Sequence, residues 1–241
     1  MIKFLRVNNK KKLNTTSLLV PELIKSKIYL GLDKTILNSN SRGYLKGIRN
    51  KIYVFNALQI AKNLQRALRV IYNSHSSKLV VTNNHRLKME PTKRILFLGF
   101  PETKKIEWEA FCQSKNQFYV FDEEWINGLL TNHESLFEYK RDFLKNLEFK
   151  NKGEIDVFHQ NFRGILKLNM IPDLIVIYDH SQNYYAFMEA KRLKIPTISF
   201  LNASDNPSDV DYPVLGNFSS LVAGDLFYYL IKKTLKESVC F

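Results

Sequence analysis

From residue 52 onward the chain alternates between short apolar runs and longer stretches with helical spacing. Ile52 to Phe55 is a short β-prone run. Between Ala57 and Tyr72 the period changes: Leu58, Ala61, Leu64, Leu68 and Ile71 recur every three or four positions and predict one apolar helical stripe. Lys62, Arg66 and Arg69 fill much of the remaining surface. Ile95 to Leu98 is apolar throughout, the pattern of a strand buried on both faces of a parallel sheet. Glu102 to Ser114 reads as the helix after it, with Ile106 and Ala110 inward, and Phe118 to Phe121 as the next strand. Further on, Leu174–Tyr178, Thr197–Leu201 and Pro213–Leu215 read as strands, and Tyr184–Leu193 and Ser219–Lys236 as helices. This rhythm predicts an α/β, Rossmann-like parallel sheet flanked by helices.

Two segments interrupt the rhythm. From His133 to Asn169 the spacing is helical, with Leu136, Phe143 and Leu147 on one helix. Ile155, Phe158, Phe162, Ile165 and Leu168 line a second helix, and Asn151-Lys152-Gly153 supplies the turn between them. The pair predicts an inserted antiparallel helical hairpin. Lys78 to Arg94 breaks the alternation and reads as a long basic loop or a short extra hairpin. The chain therefore divides into a basic N-terminal arm (1–24), a first part of the α/β domain (25–132), the hairpin (133–169) and a second part of the domain (170–241).

Composition changes this picture mainly through charge. With 241 residues, 45% of them hydrophobic, the chain can build a substantial core. Cys112 and Cys240 are too few for a disulfide framework. No apolar run approaches the roughly 20 residues of a membrane span, so a soluble chain with no membrane partner is expected. The net charge is +13 and it is segregated: residues 1–94 carry 20 Lys/Arg against three acids, residues 95–241 carry 16 against 20. A basic half joined to a near-neutral half is the footprint of a polyanionic partner. The first residues, rich in Lys and Asn and free of acid before Glu22, suit either an organellar transit segment or an RNA-contacting arm through Lys10, Lys11 and Lys12.

Candidate chemistry is sparse. Pro172-Asp173 and Glu189-Ala190-Lys191 match literally the pattern of a divalent-metal nuclease, in which two carboxylates hold the metal beside a lysine. That chemistry needs the triplet on a strand, whereas residues 184–193 have helical spacing, which scatters the three side chains. Gly99 stands alone before a helix, without the glycines a dinucleotide phosphate requires. The five histidines have no zinc-ligand spacing, and the Asp/Asn cluster at 202–211 suits Asx turns. No catalytic residue, metal, cofactor or small-molecule substrate is expected. The segment Asn40–Lys51 is different in kind. Arg42, Lys46, Arg49 and Lys51 alternate with Gly43, Tyr44 and Gly47, with no acid nearby, a composition suited to phosphate chains.

Four blocks then resemble the small-subunit ribosomal protein S2 family of bacterial and organellar type. They are Gly47–Asn56; Ile95–Gly99; Trp125–Asn132; and, in the last third, Pro172-Asp173, Glu189-Ala190, Ile195-Pro196, Pro207, Val210-Asp211 and Gly216-Asn217. The resemblance spans roughly residues 25–236. It implies a Rossmann-like (flavodoxin-like) sheet with an inserted helical hairpin and a non-catalytic role binding ribosomal RNA and neighbouring small-subunit proteins, with the hairpin against RNA or a protein. Glu123-Glu124 stand where the family usually has a basic pair, which implies a protein neighbour there in place of RNA. Heavy use of Lys, Asn, Ile, Phe and Tyr fits an AT-rich organellar genome, hence a mitochondrial ribosome, with plastid or bacterial placements as alternatives. The expected RNA contacts are Arg42, Lys46, Arg49 and Lys51, assisted by Arg86, Lys88, Lys93, Arg94, Lys10, Lys11 and Lys12. Two other classes stay open at this point: a metal nuclease using Asp173, Glu189 and Lys191, and a protein-interaction module.

Overall fold

The structure, a computed structural model, describes residues 15–33, 37–75, 79–81, 87–89, 93–100, 104–114, 117–121, 125–218 and 220–237. Its first described element is helix α1 (Thr15–Lys25), which takes in the end of the stretch expected to be a basic arm. Leu19 and Leu23 are buried there, so hydrophobic anchoring draws residues 15–24 into the fold. A three-stranded antiparallel sheet follows, formed by β1 (Leu30–Asp33), β2 (Leu45–Arg49) and β3 (Ile52–Phe55) in the order β1-β3-β2. Asn50 and Lys51 turn the β2–β3 hairpin with φ of 49° and 63°. Two left-handed residues in a two-residue turn match the twist of the flanking strands.

Helix α2 (Ala57–His75) buries Ile60, Ala61, Leu64, Ala67 and Ile71. Leu68 is half-buried and Leu58 is 57% exposed. The stripe is centred further round the helix than Leu58 suggests, which leaves that residue on the far flank. Of the two forms expected for 78–94, the structure has the hairpin: β4 (Leu79–Val81) pairs antiparallel with β5 (Leu87–Met89).

The main sheet contains β6 (Ile95–Leu98), β7 (Phe118–Val120), β8 (Leu174–Ile177), β9 (Thr197–Leu201) and β10 (Tyr212–Leu215). All pairs are parallel, and the spatial order is β10-β9-β8-β6-β7. Counted within the sheet this is 2-1-3-4-5, the flavodoxin-like order. β6, β8 and β9 are buried at every position, as expected where both faces are covered.

Helices α3 (Lys105–Ser114), α6 (Tyr184–Arg192) and α7 (Leu221–Glu237) follow strands of this sheet, and α2 packs against α1, α7 and β10. The phase of α3 differs from expectation. Trp108, Phe111 and Cys112 face inward, while Ile106 is 81% exposed and Ala110 is exposed. The indole decides the phase, because it stacks on Phe100 at 3.9 Å and buries more apolar surface than Ile106 could.

Between β7 and β8 stand α4 (His133–Lys145) and α5 (Lys152–Phe162). Their seam is built on Phe143, Phe158 and Phe162, with Phe143 and Phe158 stacked at 4.0 Å. Asn151 is the N-cap of α5, its side chain accepting the Glu154 N–H at 2.9 Å. The helix stops at Phe162, and Ile165 and Leu168 reach the core through hydrogen-bonded turns.

Candidate nucleic-acid interface

Residues 37–56 contain no Asp or Glu and carry Arg42, Lys46, Arg49 and Lys51. They fold as a 3-10 turn over Ser39–Tyr44, then β2, the Asn50-Lys51 turn and β3. All four cations are exposed. The segment is fastened from beneath by uncharged polar groups. The Asn38 side chain accepts the Asn40 N–H at 3.0 Å, and the Asn38 N–H donates to the Ala203 carbonyl at 3.0 Å. Ser41, fully buried, donates its hydroxyl to the Asp205 carbonyl at 2.9 Å, and Asn40 Nδ2 donates to Asn206 Oδ1 at 2.9 Å. The basic segment is thus pinned to the loop that follows β9, so its cations ride on an ordered base.

Within the three-stranded sheet β2 is an outer strand, paired with β3. The register shifts between Leu45 and Gly47, which leaves Lys46 opposite no residue of β3. Such irregularities re-aim a side chain and bend the strand away from regular pairing.

The other predicted cations are placed elsewhere. Lys93 is exposed just before β6. Lys88 lies in β5, while Arg86, Lys10, Lys11, Lys12 and the Glu123-Glu124 pair lie outside the described residues. Arg94 is half-buried and committed to Asp173: Nε and Nη2 donate to its two carboxylate oxygens at 3.0 and 3.2 Å, and the Arg94 N–H adds a third bond at 2.9 Å. Because these residues precede β6 and β8, the clamp joins the starts of two adjacent strands. Burial alone would raise the Asp173 carboxyl, but the Arg94 hydrogen bonds and charge hold it below its ordinary value.

The three residues of the nuclease pattern are dispersed. Glu189 and Lys191 lie on α6, not on a strand beside Asp173. Glu189 is buried and accepts from Trp125 Nε1 at 3.3 Å, Gly128 N at 2.7 Å, Leu130 N at 2.9 Å, and Thr131 N and Oγ1 at 3.2 and 3.3 Å. Lys191 pairs with Asp209 at 2.6 Å, and that hydrogen bond depresses the Asp209 carboxyl. Each member is engaged by a different partner. The remaining acids at 202–211 act in turns and latches: Asp205 accepts the Asn202 N–H at 2.7 Å, and Asp211 accepts the Thr197 N–H at 2.9 Å. Among the described residues no cluster of three or more His, Cys, Asp or Glu could hold a metal.

A flavodoxin-like sheet places a ligand crevice outside the carboxyl ends of its central strands, here β6 and β8. In this chain aromatic rings occupy that position. Phe100 follows β6 and Tyr178 follows β8. Phe227 of α7 lies 5.6 Å from Phe100 and 5.2 Å from Tyr178. Phe200 and Phe218 extend the cluster, and the Tyr178 hydroxyl donates to the Phe218 carbonyl at 2.6 Å. Among the described residues these rings pack against one another at the carboxyl ends of β6 and β8.

What the sequence reasoning missed is the role of Glu189 as the receptor of the 125–131 loop. The available signal was indirect: the two segments stood in separate blocks of the same family resemblance.

Fold and surface together define an α/β protein with a flavodoxin-like parallel sheet and an exposed, acid-free basic segment over residues 37–56. The chain belongs to the family described as Ribosomal protein S2, whose model matches residues 23–238. It is similar to the small ribosomal subunit protein uS2c of Galdieria sulphuraria, 25% identical over 93% of this chain and 95% of that protein. It is also similar to the small ribosomal subunit protein uS2 of Ehrlichia chaffeensis, 24% identical over 90% of this chain and 75% of the relative. The uS2 of Idiomarina loihiensis is 26% identical, with 90% of each chain covered.

Proposed function

We propose that the chain is a structural constituent of the small subunit of a mitochondrial ribosome, where it binds ribosomal RNA and neighbouring ribosomal proteins and catalyses no reaction. The observation that carries this reading is the acid-free segment at 37–56, anchored through the buried Ser41 and covered by exposed cations. Membership of the family supports it. Arg42, Lys46, Arg49 and Lys51 neutralise phosphates directly. Lys93, Lys88, Arg86, Lys10, Lys11 and Lys12 assist, and Arg94 acts through its clamp on Asp173, which fixes the neighbouring Lys93. The α4–α5 hairpin faces RNA or a protein neighbour. Heavy Lys, Asn, Ile, Phe and Tyr usage favours an organellar gene; a plastid or bacterial ribosome is the alternative placement.

The test is sedimentation of the tagged full-length chain from lysate and from purified mitochondria, with and without ribonuclease. Co-migration with small-subunit RNA, lost on ribonuclease treatment and enriched in mitochondria, is the expected result. Migration at the mass of the free chain would overturn the ribosomal role, and enrichment in another fraction would overturn the mitochondrial placement alone.

A further inference from the structure

Among the described residues nothing packs against two glycines of the basic segment. Gly43 follows Arg42, and Gly47 lies between Lys46 and Arg49. A Cβ built on either meets nothing within 4 Å, and neither has a φ in the left-handed region. Elsewhere the fold itself excludes a side chain. At Gly164 a Cβ would lie 2.0 Å from the Tyr119 carbonyl oxygen, and at Gly216 2.7 Å from Ile28 Cγ2. Glycine inside a strand weakens it and often marks a place where another backbone or a ligand comes close. Among the described residues none comes close to Gly47, which leaves its face open to an outside partner.

Resting on the RNA-binding reading of this hairpin, we propose that Gly43 and Gly47 are contact residues for the sugar–phosphate chain of an RNA strand. Their bare backbone lets phosphate oxygens approach the main chain of the 3-10 turn at Gly43 and of the outer strand β2 at Gly47, between Arg42, Lys46 and Arg49. The charge of the segment selects the partner. An added protein strand would use the same edge, but four exposed cations with no acid over residues 37–56 call for a polyanion. The shift at Lys46 fits the same purpose, since it turns that cation out of the regular ladder beside the open glycine.

The experiment uses the full-length chain with Gly43→Ala, Gly47→Ala and Gly47→Val, beside a variant with Arg42, Lys46, Arg49 and Lys51 all changed to Ala. Thermal melting is measured, together with binding to protein-free small-subunit ribosomal RNA over a range of salt. The expected result is an unchanged or raised melting temperature for the alanine variants and affinity lowered about tenfold, roughly one charge-assisted hydrogen bond. Val should weaken binding more than Ala. The salt slope should stay that of the unaltered chain, because the number of phosphates neutralised is the same. If the glycine variants bind normally while the four-cation variant does not, the contact role falls and the RNA-binding reading stands. If the four-cation variant also binds normally, the reading itself falls. Melting lowered by Ala would assign the glycines to the fold. Salt-independent capture of a protein that survives ribonuclease would assign the edge to a protein strand; either outcome overturns the proposal.

Discussion

The Glu189 carboxylate on α6 accepts the Gly128 N–H at 2.7 Å. Gly128 adopts a φ of 86°, a conformation that aims successive N–H groups of its loop toward one point. Leu130, Thr131 and Trp125 donate to the same carboxylate, so one buried anion organises the whole path into α4. The carboxylate that matches a nuclease pattern is here a structural receptor.

Glu189→Gln replaces an acceptor-only group with one that points two N–H groups at existing donors. The expected loss is about 2–3 kcal/mol of unfolding free energy, read as a lowered denaturant midpoint. Lys191→Ala, which removes an exposed ion pair on the same helix, should stay within about 0.5 kcal/mol of the unaltered chain. Equal effects of the two would refute the receptor role.

A second prediction concerns the exit of the helical hairpin. The Tyr119 N–H donates to the Gly164 carbonyl at 3.3 Å, and Arg163 pairs with Glu109 at 2.5 Å, so residues 163–165 cover the edge of β7. Gly164→Ala drives a methyl into the Tyr119 carbonyl. It should lower stability by at least about 2 kcal/mol and speed proteolysis between α4 and α5. An unchanged midpoint and cleavage rate would show that the backbone there yields freely.

The contrast between these sites and the sheet shows where sequence reasoning stops. β6, β8 and β9 were legible because strands covered on both faces need apolar residues at every position, and no other element competes for such a run. Helix α3 was located but mis-phased: Ile106 and Trp108 define stripes on different faces, and Phe100, which lies before the helix, decides between them. Arg94 read as a free cation because its carboxylate partner is 79 residues away. Glu189 read as part of a scattered triplet for the same reason, its donors lying about sixty residues upstream. The cations of the β2–β3 hairpin were legible because no acid nearby could engage them, so exposure followed from composition.

The Arg94–Asp173 clamp carries a pH signature. The Asp173 carboxyl in the fold titrates below its ordinary 3.8. Its contribution is therefore full above that value and is lost as pH falls through the folded-state pKa. Asp173→Asn should be less stable than the unaltered chain at neutral pH, by under about 1 kcal/mol since the pair is partly solvated. The gap should close below pH 3.8. A gap that is constant with pH would mean that shape, not charge, holds the clamp.

Lys140 gives a signature of opposite sense. It is buried on α4 and donates to the carbonyls of Leu168 and Ile165 and to Asn169 Oδ1, capping the turns after α5. Burial pulls its ammonium down to about 8 from an ordinary 10.5. The charged form is thus penalised by folding, and stability rises as pH moves from about 8 toward 10.5. Lys140→Met lacks this dependence. The difference in unfolding free energy should shift toward the unaltered chain across that window, by no more than about 1.4 kcal/mol per pH unit. A flat difference would show that the carbonyl acceptors offset desolvation of the ammonium.

The proposed RNA-binding surface is testable through salt alone. Each phosphate neutralised by a cation releases counterions, and the slope of log affinity against log salt counts them at about 0.7–0.9 per contact. Changing Arg42, Lys46, Arg49 and Lys51 to Ala should therefore flatten the slope by about three units. Lys93→Ala should remove about one unit or less, and Arg94→Ala should act chiefly on stability, because its guanidinium already serves Asp173. If all four hairpin cations contribute nothing to the slope, the charge asymmetry of the chain has another partner. If Arg94 contributes as much as Lys93, the clamp opens on binding and its guanidinium transfers from carboxylate to phosphate.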